Sequence, residues 1–181
     1  VEYNYSSEDK VTSIVEGDQY LYTNFEGLGL AVDAPMAIAG WINKDLSGTK
    51  SWLVKRYPNN DNGNYYAQMS SNGSKEKNNV WLITKKIDLS KAVSPHLLFD
   101  VTVGYYNADG LSIKISTDFD GKEANILTAK WDDITTKFSI PKAPASGYGT
   151  IAPAGSADLS AYKGKSIYVA FEYNGDATST P

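Results

Sequence analysis

The sequence predicts an all-β fold, an antiparallel β-sandwich of jelly-roll type. Three observations carry that expectation: apolar or alternating runs of strand length, turn-forming clusters of Gly, Asn and Asp between them, and no stretch with a helical period. Thirteen tyrosines and fifteen glycines in 181 residues suit strands joined by many turns.

Residues 1–19 are polar apart from Val11 to Val15 and read as a lead-in or the tail of an upstream region, with a single sandwich over 20–181. Tyr20 to Gly27 is the first predicted strand, and 28–40 a loop. Trp41, Trp52 and Tyr57 punctuate a stretch of little periodicity. Ser51–Tyr57 and Tyr65–Ser70 are predicted strands flanking the Asn-rich turn 59–64. Residues 71–79 read as a solvated loop. Val80-Trp81-Leu82-Ile83 is too short and too apolar for a helix and suits a strand buried on both faces. It leads to Asp88-Leu89-Ser90, whose polar side chains can bond nearby backbone and turn the chain. Asp158-Leu159-Ser160 repeats that device, again ahead of a core strand.

Alternation is cleanest after Pro95. Leu97, Phe99, Val101, Val103 and Tyr105 share one face, with Asp100, Thr102 and Gly104 on the other. Asn107-Ala108-Asp109-Gly110 is a turn, and Leu111, Ile113 and Ile115 alternate after it, so Leu97–Tyr106 and Leu111–Thr117 are predicted to pair as a hairpin. Asp118–Gly121 is a further turn, Trp131–Ile140 a strand stopped by Pro141, and 141–157 a loop rich in Pro, Ala, Gly and Ser. Ile167, Val169, Phe171 and Tyr173 mark the last strand.

A net charge of −4 and a pI near 5.0 argue against a nucleic-acid partner. No apolar run approaches the roughly 20 residues of a membrane span. Zero cysteines exclude disulfides, thiolate metal sites and cysteine nucleophiles. The chain begins Val1-Glu2-Tyr3 without a methionine, as a processed or trimmed piece would.

Chemistry-bearing residues are sparse. His96, the only histidine, follows Pro95 with no nucleophile elbow in the sequence, so a Ser-His-Asp triad is not expected. Asp100, Glu26 and Glu172 are the one carboxylate set a glycoside hydrolase could use, although solvation at the surface is the expected role of each. Asp118-Phe119-Asp120-Gly121 offers oxygen ligands for calcium, or else a plain hairpin turn. Sugar binding needs exposed rings beside amides and carboxylates. Tyr57, Asn59, Asp61, Asn62 and Tyr65 supply both around the 59–64 turn, with neutral polysaccharide favoured over an anionic glycan by the acidic chain. Trp52, Tyr106, Trp131 and Tyr148 are further surface candidates, while Trp81, Phe99 and Trp41 are assigned to the core.

Asn24-Phe25-Glu26-Gly27, Gly40-Trp41, Trp52, Tyr66-Ala67-Gln68, Trp81-Leu82-Ile83-Thr84, Ile87-Asp88-Leu89-Ser90, Leu98-Phe99-Asp100, Ile115-Ser116-Thr117-Asp118, Asp158-Leu159-Ser160-Ala161-Tyr162-Lys163-Gly164-Lys165 and Val169-Ala170-Phe171 follow one another in a familiar order. Over about 20–175 the chain resembles the choice-of-anchor J family, relatives of cleaved-adhesin domains and MAM-type jelly rolls. The resemblance implies a galactose-binding-like jelly roll in a secreted or surface module without catalysis. It implies a place outside the cell or on the outer membrane, lipid-anchored in the full precursor, and carbohydrate or cell-surface ligands. It also implies a structural calcium near Glu26. A structural spacer with no ligand, or a carboxylate-based glycosidase, are the alternatives. Two departures stand out: Thr84-Lys85 replaces the family's Thr-Pro, and a closing strand expected after Tyr173 is not seen before Pro181.

Overall fold

The computed structural model describes residues 19–176 and two short strands, β1 (Tyr3–Asn4) and β2 (Ser13–Ile14), which pair antiparallel. The rest of the predicted lead-in and the stretch from 177 to Pro181, on which the expected absence of a closing strand bears, lie outside the described residues. The remaining strands are β3 (Ile42–Ser47), β4 (Leu53–Tyr57), β5 (Asn64–Gln68), β6 (Asn78–Ile83), β7 (Ile87–Asp88), β8 (His96–Val101), β9 (Leu111–Ser116), β10 (Asp132–Asp133), β11 (Ala152–Asp158) and β12 (Ser166–Gly175).

They form an antiparallel β-sandwich. One layer is a sheet in the order β10-β9-β12-β6-β3, with β7 also on β12; the other layer holds the pairs β4–β5 and β8–β11. Strand β12 is central because Ile167, Val169, Phe171 and Tyr173 all point between the layers. There Ile167 and Val169 meet Ile113 and Ile115 of β9, Ala154 and Ala157 of β11, and the partly buried Leu97, Phe99 and Val101 of β8. Tyr173 joins Val80 and Leu82 of β6 against Val54 of β4 and Ala67 of β5. Each such fully buried aliphatic side chain contributes roughly 1.5–3 kcal/mol.

Strand β6 is buried on both faces, as its apolar run predicts. Trp81 and Ile83 turn to the far side of the sheet, where Phe119, Ile126 and the ring of Trp131 cover them. The repeated Asp-Leu-Ser device is also present. Asp88 Oδ1 accepts the Ser90 N–H at 2.9 Å and Asp158 Oδ1 the Ser160 N–H at 2.7 Å, while Leu89 and Leu159 are both buried. In each case the Ser90 or Ser160 bonds hold the carboxyl below the usual range.

Several expectations are corrected. Strands β8 and β9 do not form a hairpin: β8 pairs only with β11 among the described residues, and β9 pairs with β12 and β10. Both alternate because both cover the same core from opposite layers, and residues 102–110 carry the chain across. Tyr105 does not continue the inward face, because its φ of +50° turns the ring outward to 54% exposure. Tyr20–Gly27 is not a strand; Thr23 Oγ1 and Asn24 Oδ1 accept the Phe25 and Glu26 N–H groups and curl it into turns. Trp131–Ile140 shrinks to the two residues of β10 and a 3₁₀ turn over Thr135–Lys137. The 141–157 loop contains β11, whose ladder with β8 is irregular between Pro153 and Ser156. The 71–79 loop ends in β6, and its Ser71 and Asn78 are buried. Trp52 is core, its Nε1–H donating to the Val80 carbonyl.

Candidate ligand-binding face

The hairpin β4–β5 has two unlike faces. Val54 and Arg56 point inward with Tyr65 and Ala67, so Lys55, Tyr57 and Tyr66 point out. The register sets Lys55 opposite Tyr66 and Tyr57 opposite Asn64, which makes Tyr57 and Tyr66 diagonal neighbours on the outward face. Tyr57 is 75% exposed. Lys55 Nζ lies 2.6 Å from Asp33 Oδ1, and Asp33, at φ +65°, borders β4 and donates its N–H to Val54 O.

Beside this hairpin two loops are stitched together by backbone. The Tyr105 N–H donates to Gly147 O, Tyr106 N–H to Pro144 O and Gly149 N–H to Val103 O, all within 2.8–2.9 Å. Tyr148 bridges to Gly104, and its ring lies directly over that glycine. Tyr148 is 70% exposed and meets the Tyr105 ring edge-to-face at 5.3 Å. Burial pushes the Tyr66 hydroxyl's pKa up; Lys55 opposes this, and Tyr148, Asp33 and Tyr57 reinforce it. Tyr66 is therefore within electrostatic reach of both Tyr57 and Tyr148, so the hairpin and the joined loops are neighbours, and their outward rings make a tyrosine face on which Tyr57, Tyr105 and Tyr148 are exposed and Tyr66 is half-buried.

The 59–64 turn is less available than its composition promises. Arg56 donates to Asn59 Oδ1 at 3.3 Å and Asp61 Oδ1 at 3.4 Å, and Asn60 Oδ1 accepts the Asn62 N–H. Tyr65 faces inward, with the Arg56 guanidinium 5.6 Å above its ring. Tyr57 is thus the exposed ring at this turn, Tyr66 takes the outward place assigned to Tyr65, and Asn59 and Asp61 serve the turn as well as solvent.

The other predicted groups are dispersed. Glu26 Oε1 accepts the Tyr65 N–H at 2.9 Å. Asp118 Oδ1 accepts Ser116 Oγ–H and the Lys130 N–H; Asp120 accepts the Lys122 N–H and Asn125 Nδ2–H, and these bonds lower both carboxyls. Among the described residues no three His, Cys, Asp or Glu side chains gather as a metal site. Asp100, raised by burial, faces out from the second layer. Glu172 lies on the far face of the first sheet, its oxygens 2.6 Å from Lys114 Nζ and from Asn79 Nδ2. The two carboxylates therefore sit on opposite sides of the sandwich. His96 is exposed, its Nδ1 3.0 Å from Ser94 O. Tyr106 is half-buried and donates to Asp109, while Trp131 donates to Ile126 O. An open cleft of about 550 Å³ lies elsewhere, between Lys44, Asp45 and Leu46 and the turn bearing Glu123, Ala124 and Leu127. No described helix is long and apolar enough to cross a membrane.

Residues 69–181 match the model of a domain of unknown function, DUF5017. No curated protein matches the chain. The fold is similar to the K1 cleaved adhesin domain of Lys-gingipain from Porphyromonas gingivalis W83, with 23% identity, a TM-score of 0.51, and 80% of this chain and 85% of that one covered. The K3 cleaved adhesin domain of the same protein is similar at 18% identity and a TM-score of 0.50, over 79% of this chain and 87% of that one. At these identities the likeness is one of fold.

Proposed function

The chain belongs to the DUF5017 family, and we propose that it is a non-catalytic surface or secreted module that binds neutral polysaccharide. The observation that carries this reading is the outward tyrosine face, with Tyr57, Tyr105 and Tyr148 at 75%, 54% and 70% exposure on a backbone-stitched scaffold. A sugar's apolar face stacks on such rings while neighbouring polar groups bond its hydroxyls. Lys55, Asp33 and the amides of 59–64 provide those groups. The dispersal of Asp100, Glu26 and Glu172 supports binding over hydrolysis, because a glycosidase needs two carboxylates flanking one bond. The cleaved-adhesin fold and the resemblance to choice-of-anchor J proteins support a location outside the cell.

The test is a polysaccharide array probed with the protein in calcium and again in EGTA. Retention of a neutral polysaccharide, lost in Tyr148→Ala, is the expected result. Silence across the array favours a structural spacer. Turnover of a glycoside that Asp100→Asn abolishes favours a hydrolase. Binding that vanishes in EGTA brings calcium at Glu26, or at Asp118 and Asp120, into the proposal.

A further inference from the structure

We propose that the tyrosine face takes the interior of a linear polysaccharide chain, engaged at two ring stations, rather than a terminal sugar or a small glycan. This rests on the glycan-binding reading above and specifies its ligand.

The first station is Tyr57 with Tyr66 on the β4–β5 hairpin, and the second is Tyr105 with Tyr148 on the joined loops 102–106 and 144–149. Both are open. A face on which Tyr57, Tyr105 and Tyr148 are more than half exposed and Tyr66 half-buried covers a bound sugar from one side only, whereas pockets for small ligands bury most of the ligand surface. One sugar on one ring therefore gains too little to offset the freedom lost on binding. Two stations fixed on one scaffold change this, because a chain held at the first reaches the second at high effective concentration.

The scaffold supplies that fixity. Tyr105 is held at φ +50° and Asp33 at φ +65°, left-handed conformations that L side chains rarely adopt, and they flank the two stations. Such residues persist where the surrounding structure determines them, here through the backbone bonds from Tyr105 N–H to Gly147 O and from Asp33 N–H to Val54 O. A strained, exposed aromatic residue gains nothing for the core, so its rigidity is available to recognition.

Titration calorimetry with ladders of cello-, manno- and malto-oligosaccharides, and with their parent polysaccharides, tests this. For the ladder that binds, affinity is expected to rise about ten-fold or more from disaccharide to octasaccharide. The protein bound per polysaccharide chain should also grow with chain length. Tyr57→Ala and Tyr148→Ala should each flatten the length dependence while the urea midpoint stays near that of the parent. Equal affinity for disaccharide and octasaccharide, or one protein per chain whatever its length, overturns the two-station inference and leaves glycan binding intact. So does a variant that weakens every length equally. No binding along any ladder or to any parent polymer overturns both.

Discussion

Gly104→Ala separates the tyrosine face from the fold. A β-carbon at Gly104 would lie 2.3 Å from Cδ1, 2.8 Å from Cε1 and 3.1 Å from Cγ of Tyr148. Ordinary contact begins near 3.4 Å, so the ring must retreat by about 1 Å, more than a packed neighbour yields. Gly104 is not among the positive-φ residues, so alanine adds no backbone strain. Tyr148 is 70% exposed and can swing into solvent. The loss is then mainly its edge-to-face contact with Tyr105, about 1 kcal/mol. Urea denaturation should show that small shift with an unchanged slope, while retention on the polysaccharide that binds the parent falls about ten-fold. A destabilisation above about 3 kcal/mol would place Tyr148 in the core and refute the reasoning. Unchanged retention with a displaced ring would remove Tyr148 from the site.

Three further predictions concern the scaffold. Asn78 is fully buried, its amide donating to Ser71 Oγ, Ser74 Oγ and Glu76 O and its Oδ1 accepting the Thr49 N–H; Ser71 Oγ keeps the Tyr173 hydroxyl and Ser74 keeps Glu76, so Asn78→Ala removes these bonds, leaves a small cavity and should cost about 1–3 kcal/mol in chemical denaturation. Phe99 packs against Phe138 at 4.7 Å and Phe171 at 5.3 Å, so Phe99→Ala should cost about 3 kcal/mol, and an unchanged denaturant midpoint would exclude it from the core. Burial and a hydrogen bond to Asp132 push the Tyr162 hydroxyl up from 10.0 to about 12. Because the folded value is raised, the contribution is complete below pH 10 and is lost as pH rises towards 12. Asp132 is exposed, so the effect is about 1 kcal/mol, and the stability gap between the parent and Tyr162→Phe should close over that range.

The parts of the fold legible in the sequence are those that one segment decides alone. Val80–Ile83 announces a doubly buried strand by composition, and the two Asp-Leu-Ser turns announce themselves because the bond runs between residues two apart. Partnership is not local. Leu97–Val101 and Leu111–Ile115 alternate equally well whether they pair with each other or face each other across the core, and they face each other. Strands β3 and β11 were invisible because Asn43-Lys44-Asp45 and Pro153-Ala154-Gly155-Ser156 lack the branched and aromatic residues that mark a strand. The tyrosine face was half visible. Residue type points to Tyr57 and Tyr148, but alternation turns Tyr105 inward because it cannot foresee a left-handed residue. Tyr65 and Tyr66 are indistinguishable in the sequence, since one step of register decides which of the two faces outward.

The most direct test of the tyrosine face is affinity electrophoresis through gels containing neutral polysaccharide, comparing the parent with the double variant Tyr57→Ala/Tyr148→Ala. Both residues are at least 70% exposed, so the variant should keep the parent's unfolding free energy in urea to within about 1 kcal/mol. Retardation of the parent that the folded double variant loses is the expected result. A folded double variant retarded as strongly as the parent would contradict the assignment of binding to this face.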